Sequence, residues 1–240
     1  MEKLIYLVWM EPDATREAVG EVILGPVATD LLALGPRGLS MSVRDTFSDI
    51  PAPVPTPEGE TPLDAVVSIW VDAVDHRGAY EDILAAAATT LAGYQVVESL
   101  YTDYGDNQWS SPRDWADGER SPGVLTVALL QQHPDLTYEE WVNRWHTRIS
   151  PITAEIQPRS RYVRNAVYRA LTEGAPPYGG IVEEAWPSLE HVTDPMLFYC
   201  ADGDPDVMNA HVTQMIDEIT AFIDLDTMRS VTMSEWILKS

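Results

Sequence analysis

The chain is poor in cysteine and in positive charge. Its 240 residues include one cysteine, Cys200, and 15 lysines and arginines against 38 acidic residues. A single cysteine excludes an intramolecular disulfide and a cysteine-rich metal site. We expect Cys200 to be a buried small side chain rather than a nucleophile, because it ends the apolar run that begins at Met196. The net charge of −23 disfavours nucleic-acid and membrane-surface binding, since a polyanion is repelled by phosphate groups.

Several motifs of common functional classes are also missing. There is no histidine pair at metal-binding spacing, no cluster of three carboxylates and no glycine-rich nucleotide loop. The Gly-x-Ser-x-Gly motif of α/β hydrolases is absent. No apolar run has the length of a transmembrane helix, and the N-terminal run lacks a signal-peptide cleavage site. These absences predict a cytoplasmic protein without a metal or other cofactor.

What the sequence does contain is the element order β-α-β-β-α-β, which occurs twice. The first copy covers residues 1–104 and the second 123–240, with a polar, turn-rich connector at 105–122. Each copy has four predicted strands, at 4–10, 38–47, 63–73 and 94–104, then at 124–131, 160–171, 181–186 and 227–238. The predicted helices cover 13–34, 80–91, 137–156 and 205–223.

This order predicts an α+β fold of two tandem ferredoxin-like units. Each unit covers one face of its sheet with helices, so the other face needs a second cover. We expect the two sheets to face each other and to form a pseudo-dimeric α/β barrel within one chain.

The helix predicted at 137–156 carries a candidate proton-transfer residue. Thr137 and Glu140 fit a capping box at its start. Trp141, Trp145 and Ile149 recur at helical spacing and form its buried stripe, while His146 lies on the flank. A histidine there can move a proton near neutral pH. The alternative is a half-exposed histidine bonded to a neighbour.

The strand predicted at 181–186 carries two glutamates on opposite faces. Because both faces of a barrel strand are covered, at least one of Glu183 and Glu184 should be buried, and a buried carboxylate must be paired or protonated. Burial alone does not choose between them; we take Glu183 as the candidate general base or acid with a raised pKa. A structural salt bridge to Arg161, Arg164 or Arg169 on the neighbouring strand is the equal alternative.

Polar side chains also alternate along the strand predicted at 160–171. One face carries Tyr162, Arg164 and Tyr168 with small alanines between them, which leaves room for a ligand. A plain barrel edge with solvated arginines is the alternative. The first copy is poorer, with Val67 in the place of Glu183 and neither tryptophan nor histidine on its first helix. We therefore expect one pocket, in the second half.

Three short segments of the second half resemble the EthD family of dimeric α/β-barrel proteins. They are residues 140–145 with Pro151, residues 161–165 and residues 178–183, within a match that covers 123–240. The first half resembles the same fold only by element order, so the resemblance implies a fused pair. Where this family usually has a histidine, the chain has Ile149. His146 is not an automatic substitute, because it directly follows Trp145 and points about 100° away from it, whereas position 149 lies about one turn after Trp145.

The resemblance implies a role in the breakdown of small organic compounds, and relatives on this barrel include cofactor-independent monooxygenases, cyclases, isomerases and decarboxylases. We predict binding of a small apolar or aromatic oxygenated compound, with His146 moving a proton, Glu183 orienting it and Arg164 or Tyr168 holding an oxyanion. The alternatives are a non-catalytic carrier and a structural subunit without a pocket. The expected state is a monomer or a homodimer of it. The predicted ligand-binding residues are Trp145, Tyr162, Arg164, Asn165, Tyr168, Trp186 and His211. For His211, on an apolar helix face, a satisfied core histidine is the alternative.

Overall fold

The computed structural model describes residues 1–240, and its centre is a closed antiparallel barrel of eight strands. The strand order around the barrel is β1-β3-β2-β8-β5-β7-β6-β4. Every predicted strand is present, with ends shifted by a few residues. The strands are β1 (Glu2–Trp9), β2 (Gly38–Val43), β3 (Ala65–Val71), β4 (Thr90–Thr102), β5 (Val124–Leu130), β6 (Arg161–Ala170), β7 (Gly180–Trp186) and β8 (Arg229–Lys239).

Two strand pairs join the halves and correct the expectation of two separate facing sheets. β2 pairs with β8, and β4 pairs with β6, so the eight strands form one continuous sheet. Pairing satisfies the backbone N–H and C=O groups that each four-stranded sheet would otherwise expose at its edges. The inner faces of the two halves still face each other across the barrel interior.

The helices cover the outside of the barrel. The first predicted helix of each half is interrupted by a π-helical turn, at Ile23–Val27 and at Trp145–Ile149. The caps Thr15 and Thr137 precede these turns by the same number of residues. The helices are α1 (Arg16–Val22), α2 (Ala28–Ala33), α3 (Gly78–Ala87), α4 (Tyr138–Arg144), α5 (Ser150–Ile156), α6 (Glu190–Thr193), α7 (Pro195–Phe198) and α8 (Pro205–Thr220).

The segment between β7 and α8 differs from the sequence-based expectation. Short helices α6 and α7 lie where the sequence predicted neither a helix nor a strand, and His191 belongs to α6. Cys200 follows α7 with a φ of 48° and is half-buried rather than buried. Burial raises the pKa of its thiol, which disfavours the reactive thiolate.

Three hydrophobic clusters make up the core. The barrel interior joins both halves, for example through Ile5, Tyr94, Val127 and Met233. A second cluster lies between the sheet and the helices of the first half, and a third lies in the same layer of the second half. The alternation of each strand decides which cluster a side chain joins, because successive side chains point to opposite faces.

The connector at 105–122 is held against the barrel. The side-chain amide of Asn107 donates to the carbonyl of Arg159 at 2.8 Å, and the ring of Trp115 packs edge-on against Tyr104 with centroids 4.9 Å apart. These contacts fix the connector to the barrel. No helix combines the length and the apolar character that a membrane-crossing segment requires.

Candidate functional site

A cavity of about 200 Å³ lies between the outer face of the second-half sheet and its helices. Sixteen of its 23 lining residues are hydrophobic, so it suits a ligand that is largely apolar. All but two of the lining residues come from the second half, where the sequence predicted a pocket. The exceptions are Pro53 and Val54, from the proline-rich loop of the first half.

A second, more polar hollow of about 290 Å³ corrects the expectation of a single pocket. It lies along the connector and is lined by the aromatic residues Tyr104, Trp109 and Trp115 together with serines and prolines. It contains none of the residues that the sequence predicted for the site.

The apolar wall of the helix-side cavity depends on the helical spacing around the second π-helical turn. Trp145 and Ile149 line the cavity from this turn, and Trp141 packs behind Trp145 with ring centroids 5.0 Å apart. Gly180 makes room for both rings, because a Cβ there would lie 2.9 Å from Trp145 and 3.0 Å from Trp141. The tryptophan stripe found in the sequence is therefore a wall of the cavity as well as part of the core.

The polar end of the cavity is built around Arg159, which is 4% exposed. Its guanidinium donates to the carboxylate of Glu184 at 2.7 Å and to the hydroxyl of Thr153 at 2.6 Å. The same group lies over the ring of Tyr162, 3.9 Å from its centroid. Hydrogen bonds in which one partner is ionised are stronger than those between neutral groups. This cluster can therefore bind the polar part of a ligand.

Arg159 was not among the predicted site residues. It precedes β6 in a turn closed by its N–H and the carbonyl of Gln157, so strand alternation does not locate its side chain. For Glu184 the sequence did contain an indication, because strand alternation required one of the two glutamates of β7 to face the helices.

Two predicted ligand-binding residues, Trp145 and Tyr162, do line the cavity. The indole N–H of Trp145 donates to the hydroxyl of Tyr162 at 2.9 Å. Burial raises the pKa of Tyr162, so its hydroxyl is neutral at physiological pH. Whether either residue touches a ligand stays a prediction.

Glu183 lies inside the barrel, on the other side of the sheet from this cavity. Its carboxylate accepts hydrogen bonds from Lys3 at 3.1 Å and from Asn165 at 2.9 Å. Burial alone would raise the pKa of Glu183, but the charges of Lys3 and Arg161 and these hydrogen bonds hold it below its ordinary value. The expected raised pKa is therefore wrong, and the main partner is Lys3 from the first half rather than an arginine of the neighbouring strand.

His146 lies outside the barrel, half-buried in the second π-helical turn. Burial and the charge of Arg164 lower the pKa of its ring, so it is mostly neutral at physiological pH. The sheet separates His146 from Glu183, and neither lines the cavity. The expected arrangement, in which Glu183 orients a proton carried by His146, does not occur.

The other predicted residues are also outside the cavity lining. Arg164 donates to the hydroxyl of Ser150 at 3.0 Å, and Tyr168 is 69% exposed on the barrel surface. Trp186 donates to the hydroxyl of Thr126 at 2.9 Å behind the cavity wall. His211 binds the carbonyl of Tyr199 at 2.6 Å through Nδ1, which agrees with the alternative of a satisfied histidine. Since a carbonyl only accepts, that nitrogen carries the proton.

No family model matches the chain, and no curated protein matches its sequence. Among solved structures, an anthrone oxidase-like protein is similar with a TM-score of 0.55 and 12% identity, over 100% of this chain and 93% of that chain. A candidate monooxygenase from Lactobacillus acidophilus has a TM-score of 0.52 and 8% identity, over 99% and 95%. Another from Fusobacterium nucleatum has a TM-score of 0.50 and 12% identity, over 99% and 92%. At these identities the likeness establishes the fold, which is the dimeric α/β barrel over the whole chain.

Proposed function

We propose that the protein binds a small oxygenated aromatic compound in the helix-side cavity of its second half. The observation that carries this proposal is the distribution of polarity in the cavity. Its walls are mostly apolar, while Arg159, Glu184 and Thr153 converge at one end. Apolar walls with a few placed polar groups are typical of small-molecule sites.

We further propose that the bound compound undergoes acid–base chemistry at Arg159 and Glu184. The Glu184 carboxylate accepts a proton from a phenol or from a carbon beside a carbonyl, and the Arg159 guanidinium stabilises the resulting oxyanion. Glu184 thus takes the general-base role that the sequence suggested for His146 or Glu183, and Arg159 takes the oxyanion-binding role suggested for Arg164 or Tyr168. In keeping with the neighbours named anthrone oxidase-like protein and monooxygenase, we propose dioxygen from solution as the oxidant of the deprotonated carbon. One oxygen atom replaces two hydrogens of that carbon as a carbonyl oxygen, and the other leaves with them as water.

A carrier without catalysis is the second candidate. Two observations favour it: most of the cavity lining is hydrophobic, and His146 and Glu183 both lie elsewhere. The two candidates differ in whether the compound is released changed or unchanged.

We also propose that the chain arose by fusion of two EthD-like units, at 1–104 and 123–240, and acts as a monomer. The strand order within each half supports this, because β4-β1-β3-β2 and β8-β5-β7-β6 have the same arrangement. The equal spacing of the caps Thr15 and Thr137 and of the two π-helical turns adds to it. A single chain closes the barrel without leaving a free sheet edge.

Native mass spectrometry of protein purified from its own host tests ligand binding. Ala128 lies on the sheet floor of the cavity, so Ala128→Phe should reduce the bound fraction at least about tenfold by filling the space. Val207→Phe is the matched control, because Val207 is 37% exposed on α8 and does not line the cavity. Equal ligand content in the two variants, or no ligand in the unmodified protein, contradicts the proposal.

The identified compound then separates the enzyme from the carrier. Incubation in air with the unmodified protein should convert it, while Glu184→Gln should bind it and leave it unchanged. If the unmodified protein also returns the compound unchanged, the catalytic proposal is wrong and the carrier remains.

A further inference from the structure

The hydroxyl of Ser230 is a buried polar group in the cavity wall without a hydrogen-bond partner. Ser230 is 2% exposed, and its Oγ has no partner within the protein. Val231 and Met233 belong to the cluster inside the barrel, so the alternation of β8 points the Ser230 side chain towards the helices. Ser230 is one of the residues that line the cavity, so its unpaired hydroxyl lies in the cavity wall.

Ser230 lies at a distance from the polar cluster of Arg159 and Glu184. It is opposite Ala128 on β5, whereas Glu184 on β7 is opposite Thr126. The two positions are thus two strands and two residues apart. With strands about 4.8 Å apart and a rise of about 3.4 Å per residue, the diagonal is roughly 12 Å.

The part of the cavity floor between Ser230 and the cluster of Arg159 and Glu184 is apolar. Ala128 and Val182 lie along it, and neither offers a hydrogen bond from its side chain. Because the side chains of Ser230 and Glu184 project from the same face of the sheet, we take the separation of their polar ends to be similar to that of their strand positions. After one hydrogen bond of about 2.8 Å at each end, roughly 6 Å remains between the two oxygens of a bridging ligand. A ligand with a single oxygen therefore cannot form hydrogen bonds both with Ser230 and with the cluster of Arg159 and Glu184.

We propose that the ligand is a rigid aromatic compound with oxygens at opposite ends, one bound at Arg159–Glu184 and the other at Ser230. The proposal rests on the proposed function and names its substrate class. Ser230 is then a specificity-determining residue that selects compounds with a second, distant oxygen, because an unpaired buried hydroxyl penalises ligands that leave it unsatisfied.

Thr232 supplies a matched control on the same strand and face. It is 3% exposed, and its hydroxyl also lacks a partner. Unlike Ser230, it does not line the cavity. A general effect of removing an unpaired hydroxyl from β8 should therefore occur at both positions, whereas an effect on ligand choice should occur only at Ser230.

The experiment measures the binding of two probes of equal shape by calorimetry. They are hydroquinone, with an oxygen at each end, and phenol, with one. The unmodified protein should bind the diol about fivefold more tightly, the effect of one neutral hydrogen bond. Ser230→Ala should abolish this preference, and Thr232→Val should retain it.

Each outcome is decisive once thermal unfolding shows that both variants are folded. A preference for the diol that survives in Ser230→Ala, or equal binding of both probes by the unmodified protein, overturns the assignment of Ser230 and leaves the proposed function intact. Failure of the unmodified protein to bind either probe overturns both.

Discussion

The two halves of the molecule use the same layer, between sheet and helices, in different ways. In the first half the ring of Tyr6, on β1, fills this layer; the side chain is fully buried. Its hydroxyl donates to Glu81 on α3 at 3.1 Å. In the second half the corresponding position of β5 is Ala128, beneath the cavity. Tyr6 and Ala128 correspond because each precedes its helix cap, Thr15 or Thr137, by the same number of residues.

The neighbouring strands differ at the matching position. Tyr6 is opposite Gly93, where a Cβ would lie 2.6 Å from the tyrosine ring, while Ala128 is opposite Ser230. The first half thus combines a large side chain with a glycine, and the second combines two small ones. The same arrangement of strands and helices can therefore contain either a packed core or a cavity. Side-chain volume at a few positions of the sheet, such as Tyr6 and Ala128, decides which of the two forms.

Removing the ring of Tyr6 should have the largest effect. Tyr6→Ala should lower the free energy of unfolding by about 3–5 kcal/mol, because the packed layer gains a cavity. Equilibrium unfolding in guanidinium chloride at neutral pH measures it. Tyr6→Phe, which removes only the hydrogen bond to Glu81, is the control and should cost about 1 kcal/mol. Similar values for the two variants would mean that the ring does not fill the layer.

The barrel interior shows a second contrast between the halves. Lys3 comes from the first half and Glu183 from the second, and they pair at 3.1 Å. By strand register, the counterpart of Glu183 is Ser68 rather than Val67 as the sequence suggested, and that of Lys3 is Leu125. Each half therefore contributes one member of a buried ion pair that neither half contains alone.

Breaking this pair should have the next largest effect. Glu183→Gln should cost about 3 kcal/mol at neutral pH, because it leaves the buried charge of Lys3 with Glu98 as its remaining partner. Glu98→Gln is the matched control on the same lysine. Since the Glu98 side chain is 29% exposed, its loss should be smaller. Equal losses would contradict the special role of the pair between the halves.

The effect of Glu183→Gln should depend on pH in a defined direction. The pKa of Glu183 is lower in the folded protein than its ordinary value of 4.5, so the folded state holds this proton less tightly than the unfolded state. The stabilisation is complete above pH 4.5 and is lost as the pH falls through the folded pKa. Unfolding free energies of both proteins should therefore converge below pH 4.5; a constant difference there would contradict the ionised pair.

The smallest effect on stability is expected at the loop that the first half extends over the cavity of the second. Glu60 in this loop accepts two hydrogen bonds of 2.7 Å from Arg229, next to Ser230. Glu60→Gln should change stability by less than about 1 kcal/mol, since the pair is exposed. It should release ligand a few times faster, because Pro53 and Val54 of the loop line the cavity. Stopped-flow fluorescence measures the rate.

Asp72→Asn is the control for this loop variant. Asp72 also accepts two hydrogen bonds from one exposed arginine, Arg37, but neither residue lines the cavity. Its ligand release should equal that of the unmodified protein. A similar acceleration in both variants would show that the loop has no particular role in retaining the ligand.

The sequence predicts what depends on local periodicity. The capping box of Thr137 and Glu140 and all eight strands follow from short-range patterns, and the structure contains them. Period two also placed Glu183 and Glu184 on opposite faces, but it did not say which face is inside. That choice depends on how β7 pairs with β5 and β6, which involves residues distant in sequence.

The cavity was harder to predict for the same reason. Arg159 enters it from a turn, where neither helical nor strand periodicity applies. The contrast between Tyr6 and Ala128 becomes visible only when the two strands are aligned by register, because their sequences share no motif. Pairing of β2 with β8 and of β4 with β6 is likewise a property of the assembled barrel.

Barrel closure has a consequence for any attempt to divide the protein. A cut within the connector would produce two fragments, each with two edge strands that lack their hydrogen-bonding partners. Each fragment would also contain one member of the ion pair formed by Lys3 and Glu183. Such edges recruit the nearest complementary strand. The fragments should accordingly behave as a split reporter does, inactive when made apart and restored when mixed.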